Sequence, residues 1–217
     1  GMAFEFFVGL LAMIATAELI KMRRLAPNSI EGVLAMLASL VLTLPLQNYL
    51  TFLPTDGNYT AYAIVVFLLL GATVFNIGRY NYSDVVFPIA SSFYVGIGFH
   101  SLVLARMDGL NKVFFALCLV WATDIGAYMI GRQFGRRKLL PKVSPNKTVE
   151  GFVGGILSAV VVAIIFLIVD KSLLAGYSFG MMLLRVVIFS TLSQFGDLVE
   201  SAIKRHFGVK DSGKIIT

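Results

Sequence analysis

Seven long apolar stretches divide the chain, at about Phe4 to Ile20, Ile30 to Leu46, Tyr59 to Asn76, Val85 to Ala105, Val113 to Ile130, Phe152 to Val169 and Phe179 to Gly196. Most have the length that crosses a hydrocarbon core about 30 Å thick. Within lipid every backbone N–H and C=O must be satisfied inside the protein, so only helices or a closed barrel can span. A barrel would show strands of about ten residues alternating apolar and polar, and these runs are continuous. An all-α, polytopic integral membrane protein with about seven transmembrane helices is therefore expected. The second run is short and contains Pro45, which leaves its end unset. With 58% apolar and 14% charged residues, the chain has no room for a separate soluble domain. It reads as one membrane-embedded domain over residues 1–217, with N-terminal helices in 1–110 and the polar motifs in 111–217.

Lys and Arg fix the orientation. Alternation through seven spans puts Lys21 to Arg24, Arg79, residues 131–151 and the tail after Gly196 on one side, with 14 of the 18 basic residues. The opposite loops keep Arg106, Lys112 and Lys171, and Arg185 lies inside the last run. The basic side is thus expected to face the cytoplasm. The net charge of +6 is a topology and headgroup signal, and a nucleic-acid partner is excluded for want of a soluble basic domain. Cys118 is the only cysteine, so there is no disulfide framework or cysteine metal site. Phe4 to Ile20 lacks the basic start and cleavage site of a signal peptide and reads as a retained span. Glu18, near the inner end of that span, is expected to sit at the interface, and His100 to be structural. Arg185 should snorkel outward or meet Asp170.

Three polar features remain. In the fifth run Trp121, Asp124 and Tyr128 share a helical face. A lone carboxylate at mid-bilayer costs about 2.5–3.5 kcal/mol, so Asp124 should face a polar cavity or pair with a cation of another helix. In the loop that follows, Thr148 suits the N-cap of the sixth span and Glu150 its first turn. Free N–H groups at that helix start, beside Lys147, would suit a phosphate, while Gly151, Gly154 and Gly155 allow close approach of a helix or ligand. After Gly196 the last run continues without a break into a charged segment. There Asp197, Glu200, Ser201, Lys204 and Gly208 share one helical face and Leu198, Val199, Ala202, Ile203 and Phe207 the other. On spacing alone this is an amphipathic helix in the headgroup zone.

These strings resemble the phosphatidate cytidylyltransferase, or CDP-diacylglycerol synthase, family. Asp124, Ala127, Tyr128, Gly131, Phe134 and Gly135 match one motif of that family. Ser144-Pro145-x-Lys147-Thr148-x-Glu150-Gly151-x-x-Gly154-Gly155 matches a second, and Gln194 to Asp197, Ser201 to Arg205 and Lys210 to Gly213 match the first half of its signature. The second half would begin where Thr217 stands in place of Pro. That end, together with the Gly1-Met2 start, suggests a chain lacking sequence at one or both ends, inactive as it stands if the missing carboxylates are needed.

The resemblance implies transfer of CMP from CTP to phosphatidic acid at the bilayer, giving CDP-diacylglycerol and pyrophosphate, by a homodimer in the cytoplasmic membrane. It further implies Mg2+, with or without a second cation. Asp197 is the expected metal ligand. Lys204, Arg205, Lys210 and Asp211 are the expected catalytic residues, and Asp124, Ser144, Lys147, Thr148, Glu150 and Ser201 the expected substrate-binding ones. Lys147 and the other cations would neutralise phosphates, and Asp211 would ligate metal or orient Lys210. The alternatives are a CTP-dependent lipid kinase, which would release CDP, and a transporter using Asp124 and Arg185 as a relay. A transporter of that kind would show broken helices and repeated halves.

Overall fold

The computed structural model describes residues 1–50, 57–75 and 82–209. Its helices are α1 (Met2–Met22), α2 (Ile30–Thr43), α3 (Gly57–Phe75), α4 (Tyr82–Asp108), α5 (Leu110–Phe134), α6 (Val149–Val169) and α7 (Phe179–His206). Two short strands, β1 (Lys138–Leu140) and β2 (Ser144–Thr148), stand between α5 and α6. All seven expected helices are present, and six of them are long and apolar enough to cross a membrane. The chain divides into two compact units, Gly1–Asp108 and Gly109–Lys210 in their described parts.

In the first unit, α2 packs against α1, α3 and α4. Its 14 residues rise only about 21 Å, short of the bilayer core, and it stops at Thr43 rather than at Leu46. Pro45 is the cause: the residue before a proline is pushed out of the helical region, and Leu44 is extended at φ −78°, ψ 140°. Asn58 closes the end of the helix. Its amide donates to the carbonyls of Val41 (3.2 Å) and Leu44, and its Oδ1 accepts from the Leu46 N–H at 3.0 Å. His100 is structural, as expected, with Nδ1 3.1 Å from the Thr43 carbonyl. Where α2 crosses α4, Gly96 leaves space for Leu42, whose Cβ would lie 2.9 Å from an added Cβ. Glu18 departs from its expected place at the interface. It is only 6% exposed, and its Oε1 has no hydrogen-bond partner among the described residues. The expectation weighed its position along the helix, whereas its rotational position turns it into the bundle.

In the second unit α5 and α6 lie against each other over most of their length, through glycines on both sides. A Cβ on Gly126 would stand 2.1 Å from Ser158 Oγ, one on Gly155 2.8 Å from the Thr123 carbonyl, and one on Gly151 2.7 Å from the Ala127 carbonyl. Small residues thus bring the two backbones together, the packing that works where lipid is as apolar as the side chains. α7 joins them through Thr123 Oγ1 and Ser190 Oγ at 2.9 Å and through Gln194 Nε2, which donates to the Phe152 carbonyl at 3.1 Å. Phe115, Leu119, Ala159, Ala163, Leu167 and Val186 form the apolar core.

At the far end from the strands, Arg185 stacks on the Tyr177 ring, 3.4 Å from its centroid. Tyr177 precedes α7, so the guanidinium reaches toward the start of that helix and not to Asp170. Asp170 is engaged elsewhere, accepting from Asn111 Nδ2 and from the Ser172 N–H, each at 2.9 Å. Hydrogen bonds from Ser172 and Asn111 hold its carboxyl below the usual carboxylate range.

α7 is continuous for 28 residues, a rise of about 42 Å against a hydrocarbon core of about 30 Å. About 20 residues counted from Phe179 fill that core, which places Asp197 at its boundary on the side of the strands. The helix ends at His206, before Gly208, so Gly208 does not share the helical face with Asp197. Its φ of +67° is one that glycine adopts without strain. It turns the chain so that the Val209 N–H reaches the Lys204 carbonyl at 3.0 Å.

Candidate active site

The ends of α5, α6 and α7 beside the two strands surround a cavity of about 540 Å³. Asp124, Tyr128 and Arg132 reach it from α5, Lys147 and Thr148 from β2, and Gln194 and Asp197 from α7. Asp124 is ten residues before the end of α5, about 15 Å along the axis. The cavity therefore runs from the headgroup level into the depth of the span.

Each side chain has a local reason for its place. Thr148 is the N-cap of α6, as its type predicts: its backbone is extended, and its Oγ1 accepts from the Gly151 N–H at 3.1 Å. That cap holds the start of α6 beside the cavity and sets Lys147 one residue outside the helix. Lys147 forms an ion pair with Asp197, and Asp124 feels the charge of both. Two carboxylates and one ammonium thus converge from three separated segments. Gly131, whose added Cβ would meet Thr148 Oγ1 at 3.0 Å, lets β2 pass against α5.

The loop between α5 and α6 is a two-stranded antiparallel ribbon, with Lys138 opposite Thr148 and Leu140 opposite Ser144. Glu150 holds its base, accepting from the backbone N–H groups of Arg136 at 3.0 Å and Arg137 at 3.2 Å. The Val149 N–H donates to the Arg137 carbonyl at 2.9 Å.

Of the sequence-predicted residues, Asp124, Lys147, Thr148 and Asp197 are brought together around the cavity. Glu150 instead faces the ribbon backbone. Ser144 sits at the strand's start, and Ser201 is half-buried on α7 one turn beyond Asp197. Lys204 pairs with Glu200 at 2.6 Å, and Arg205 Nε donates to the Val143 carbonyl at 3.4 Å. Lys210 and Asp211 lie outside the described residues. Sequence reasoning passed over Arg132, Asn146 and Gln194 as site residues. Arg132 donates to Tyr128 Oη at 3.2 Å, an i, i+4 spacing that could have flagged it.

Can these residues hold a divalent cation? Among the described residues no group of three or more His, Cys, Asp or Glu is suited to bind a metal, so no all-protein cage is present. Magnesium asks for less: one or two carboxylates, with substrate phosphates and water completing its shell. Asp197 and Asp124 meet that need, and the Lys147 ammonium already gives Asp197 a cationic partner. The donor set fits.

The fold and site define a polytopic helical membrane protein with an acidic and basic cavity at one membrane face. The chain belongs to the cytidylyltransferase family, whose model matches residues 1–217. It is 42% identical over 217 residues to the phosphatidate cytidylyltransferase of Staphylococcus saprophyticus and 41% identical to that of Staphylococcus haemolyticus. Identity to the Staphylococcus aureus protein of the same name is 37%. Each match takes in 100% of this chain and 81% of the relative.

Proposed function

We propose that this chain transfers CMP from CTP to phosphatidic acid, giving CDP-diacylglycerol and pyrophosphate for phospholipid synthesis. We further propose that it does so as a homodimer in the cytoplasmic membrane, with the cavity open to the cytoplasm. The observation that carries the reading is the cavity in which Asp124, Lys147 and Asp197 converge. It lies at the headgroup level, where a membrane lipid and a water-soluble nucleotide can meet.

The reaction needs little covalent help from the protein. A phosphate oxygen of phosphatidate forms a bond to the α-phosphorus of CTP as the bond from that phosphorus to the bridging β-oxygen breaks, and pyrophosphate leaves with the electron pair. Positioning and charge supply most of the rate in such transfers. Lys147, next to the capped start of α6, would bind the triphosphate. Arg132 would serve the second anion from the opposite wall. Lys204, Arg205 and Lys210 would neutralise the departing pyrophosphate from α7 and the tail beyond it, with Asp211 orienting Lys210. Asp197, with Asp124 deeper in the cavity, would hold Mg2+, which when bound offsets phosphate charge and polarises the phosphoryl oxygens. Thr148 would keep the site's geometry through its cap, Glu150 through the ribbon, and Ser144 and Ser201 would offer hydroxyls at the rim.

CTP labelled separately at the α- and γ-phosphates tests the reaction on phosphatidate in mixed micelles. Label in the lipid from the α position only, with one pyrophosphate released per lipid, is expected. Lipid labelled from the γ position, with CDP released, would instead make the protein a lipid kinase.

A further inference from the structure

The β1–β2 ribbon also carries side chains that do not line the cavity. Arg136, Arg137, Lys138 and Lys142 are all exposed on it, and no acidic residue occurs between Phe134 and Val149. The nearest carboxylate, Glu150, is engaged by the backbone N–H groups of Arg136 and Arg137. Between Lys138 and Lys142 the turn carries Leu140, 45% exposed, and the exposed Pro141. The ribbon is held in place: its base is tied to α6 through Glu150 and the Val149 N–H, and its turn to the end of α7 through Arg205 and the Val143 carbonyl. It leaves the end of α5 and leads into the start of α6, so it lies at the headgroup level of the bilayer those helices cross.

Positive charge alone would satisfy the topology rule. An anchored ribbon that sets two apolar side chains between flanking cations does more, because this is the pattern of a surface lying on a membrane. We infer that the β1–β2 ribbon docks on the anionic lipid surface beside the protein. The four cations contact headgroup phosphates, and Leu140 and Pro141 enter the acyl boundary. Charge complementarity and continuity with the membrane-spanning helices select the leaflet as the occupant. One consequence rests on the proposed reaction: Leu139 and Asn146 to Thr148 of the same ribbon line the cavity, so anionic lipid gathered by the ribbon is gathered at the mouth of the site.

The test reads the docking without reading activity. Leu140→Cys in a Cys118→Ala background, carrying an environment-sensitive fluorophore, is placed in nanodiscs of phosphatidylcholine alone or mixed with phosphatidylglycerol. In the anionic discs the emission should move to the blue, and quenching by lipid-borne quenchers should rise at least about fivefold, the gain of one cation near an anionic surface. High salt should reverse both changes. Replacing Arg136, Arg137, Lys138 and Lys142 with Gln should abolish them. If that variant does not insert, Lys138→Gln with Lys142→Gln should reduce them. Equal emission in the two kinds of disc, or a shift that survives the substitutions, would overturn the inference. A protein that docks but transfers no CMP would contradict the reaction and leave the docking in place.

Discussion

Asp197→Asn should lower CMP transfer to phosphatidate by at least about a hundredfold, within the range seen when one electrostatic element of a catalytic site is removed. Asn keeps the size and one acceptor oxygen and removes the charge. Folding should be unaffected, because the Lys147–Asp197 pair is partly exposed, with side chains 29% and 54% accessible. Such pairs contribute about 0–1 kcal/mol. An acid that merely decorated the helix face would lose little activity on this change. The magnesium requirement is the second readout. A metal-holding Asp197 predicts that the residual activity needs more magnesium, whereas near-normal activity with an unchanged magnesium optimum removes Asp197 from the site.

Lys147→Met should cost about 10- to 100-fold in kcat/KM for CTP, corresponding to the roughly 1.5–3 kcal/mol of a hydrogen bond to a charged group. Lys147→Arg should recover part of it. Orientation should survive, since the loop keeps five other basic residues. The structure adds a further expectation, because Lys147 touches Asp197 and Asp124 feels both. Removing the ammonium leaves two carboxylates in one cavity without that cation, so the double variant with Asp197→Asn should lose less than the sum of the single losses. Strictly additive losses, measured by steady-state kinetics, would mean that the two residues act in separate places.

Much of this arrangement could be read from residue order. Continuous apolar runs admit only helices in lipid, and the unbroken passage from Gly196 into charge gave α7 its full length. Thr148 as a cap and the close-approach glycines of α6 follow from single-residue chemistry. What was not legible depends on contacts between distant segments. α2 ends at Thr43 because Pro45 displaces Leu44 and because Asn58, fifteen residues beyond Thr43, receives the open carbonyls. The ribbon lacks alternating polarity and has Pro145 within one strand. Its stability depends on Glu150 gripping the backbone at Arg136 and Arg137, which no local pattern announces. The burial of Glu18 likewise depends on how α1 is turned toward its neighbours. At the site, residue types pointed to Asp124, Lys147 and Asp197 one at a time. Only the packing of α5, α6 and α7 shows that they share one cavity, with Gln194 and Arg132 beside them.

The central claim is that CTP binds in that cavity, and photoaffinity mapping tests it most directly. A photoreactive CTP analogue is irradiated with the membrane-embedded protein in the presence of magnesium, and the adducts are located by peptide mass spectrometry. Adducts within Asp124 to Arg132, Asn146 to Phe152 and Gln194 to Asp197, suppressed by unlabelled CTP, are the predicted result. CTP-protected adducts confined to α1–α4 would contradict the account.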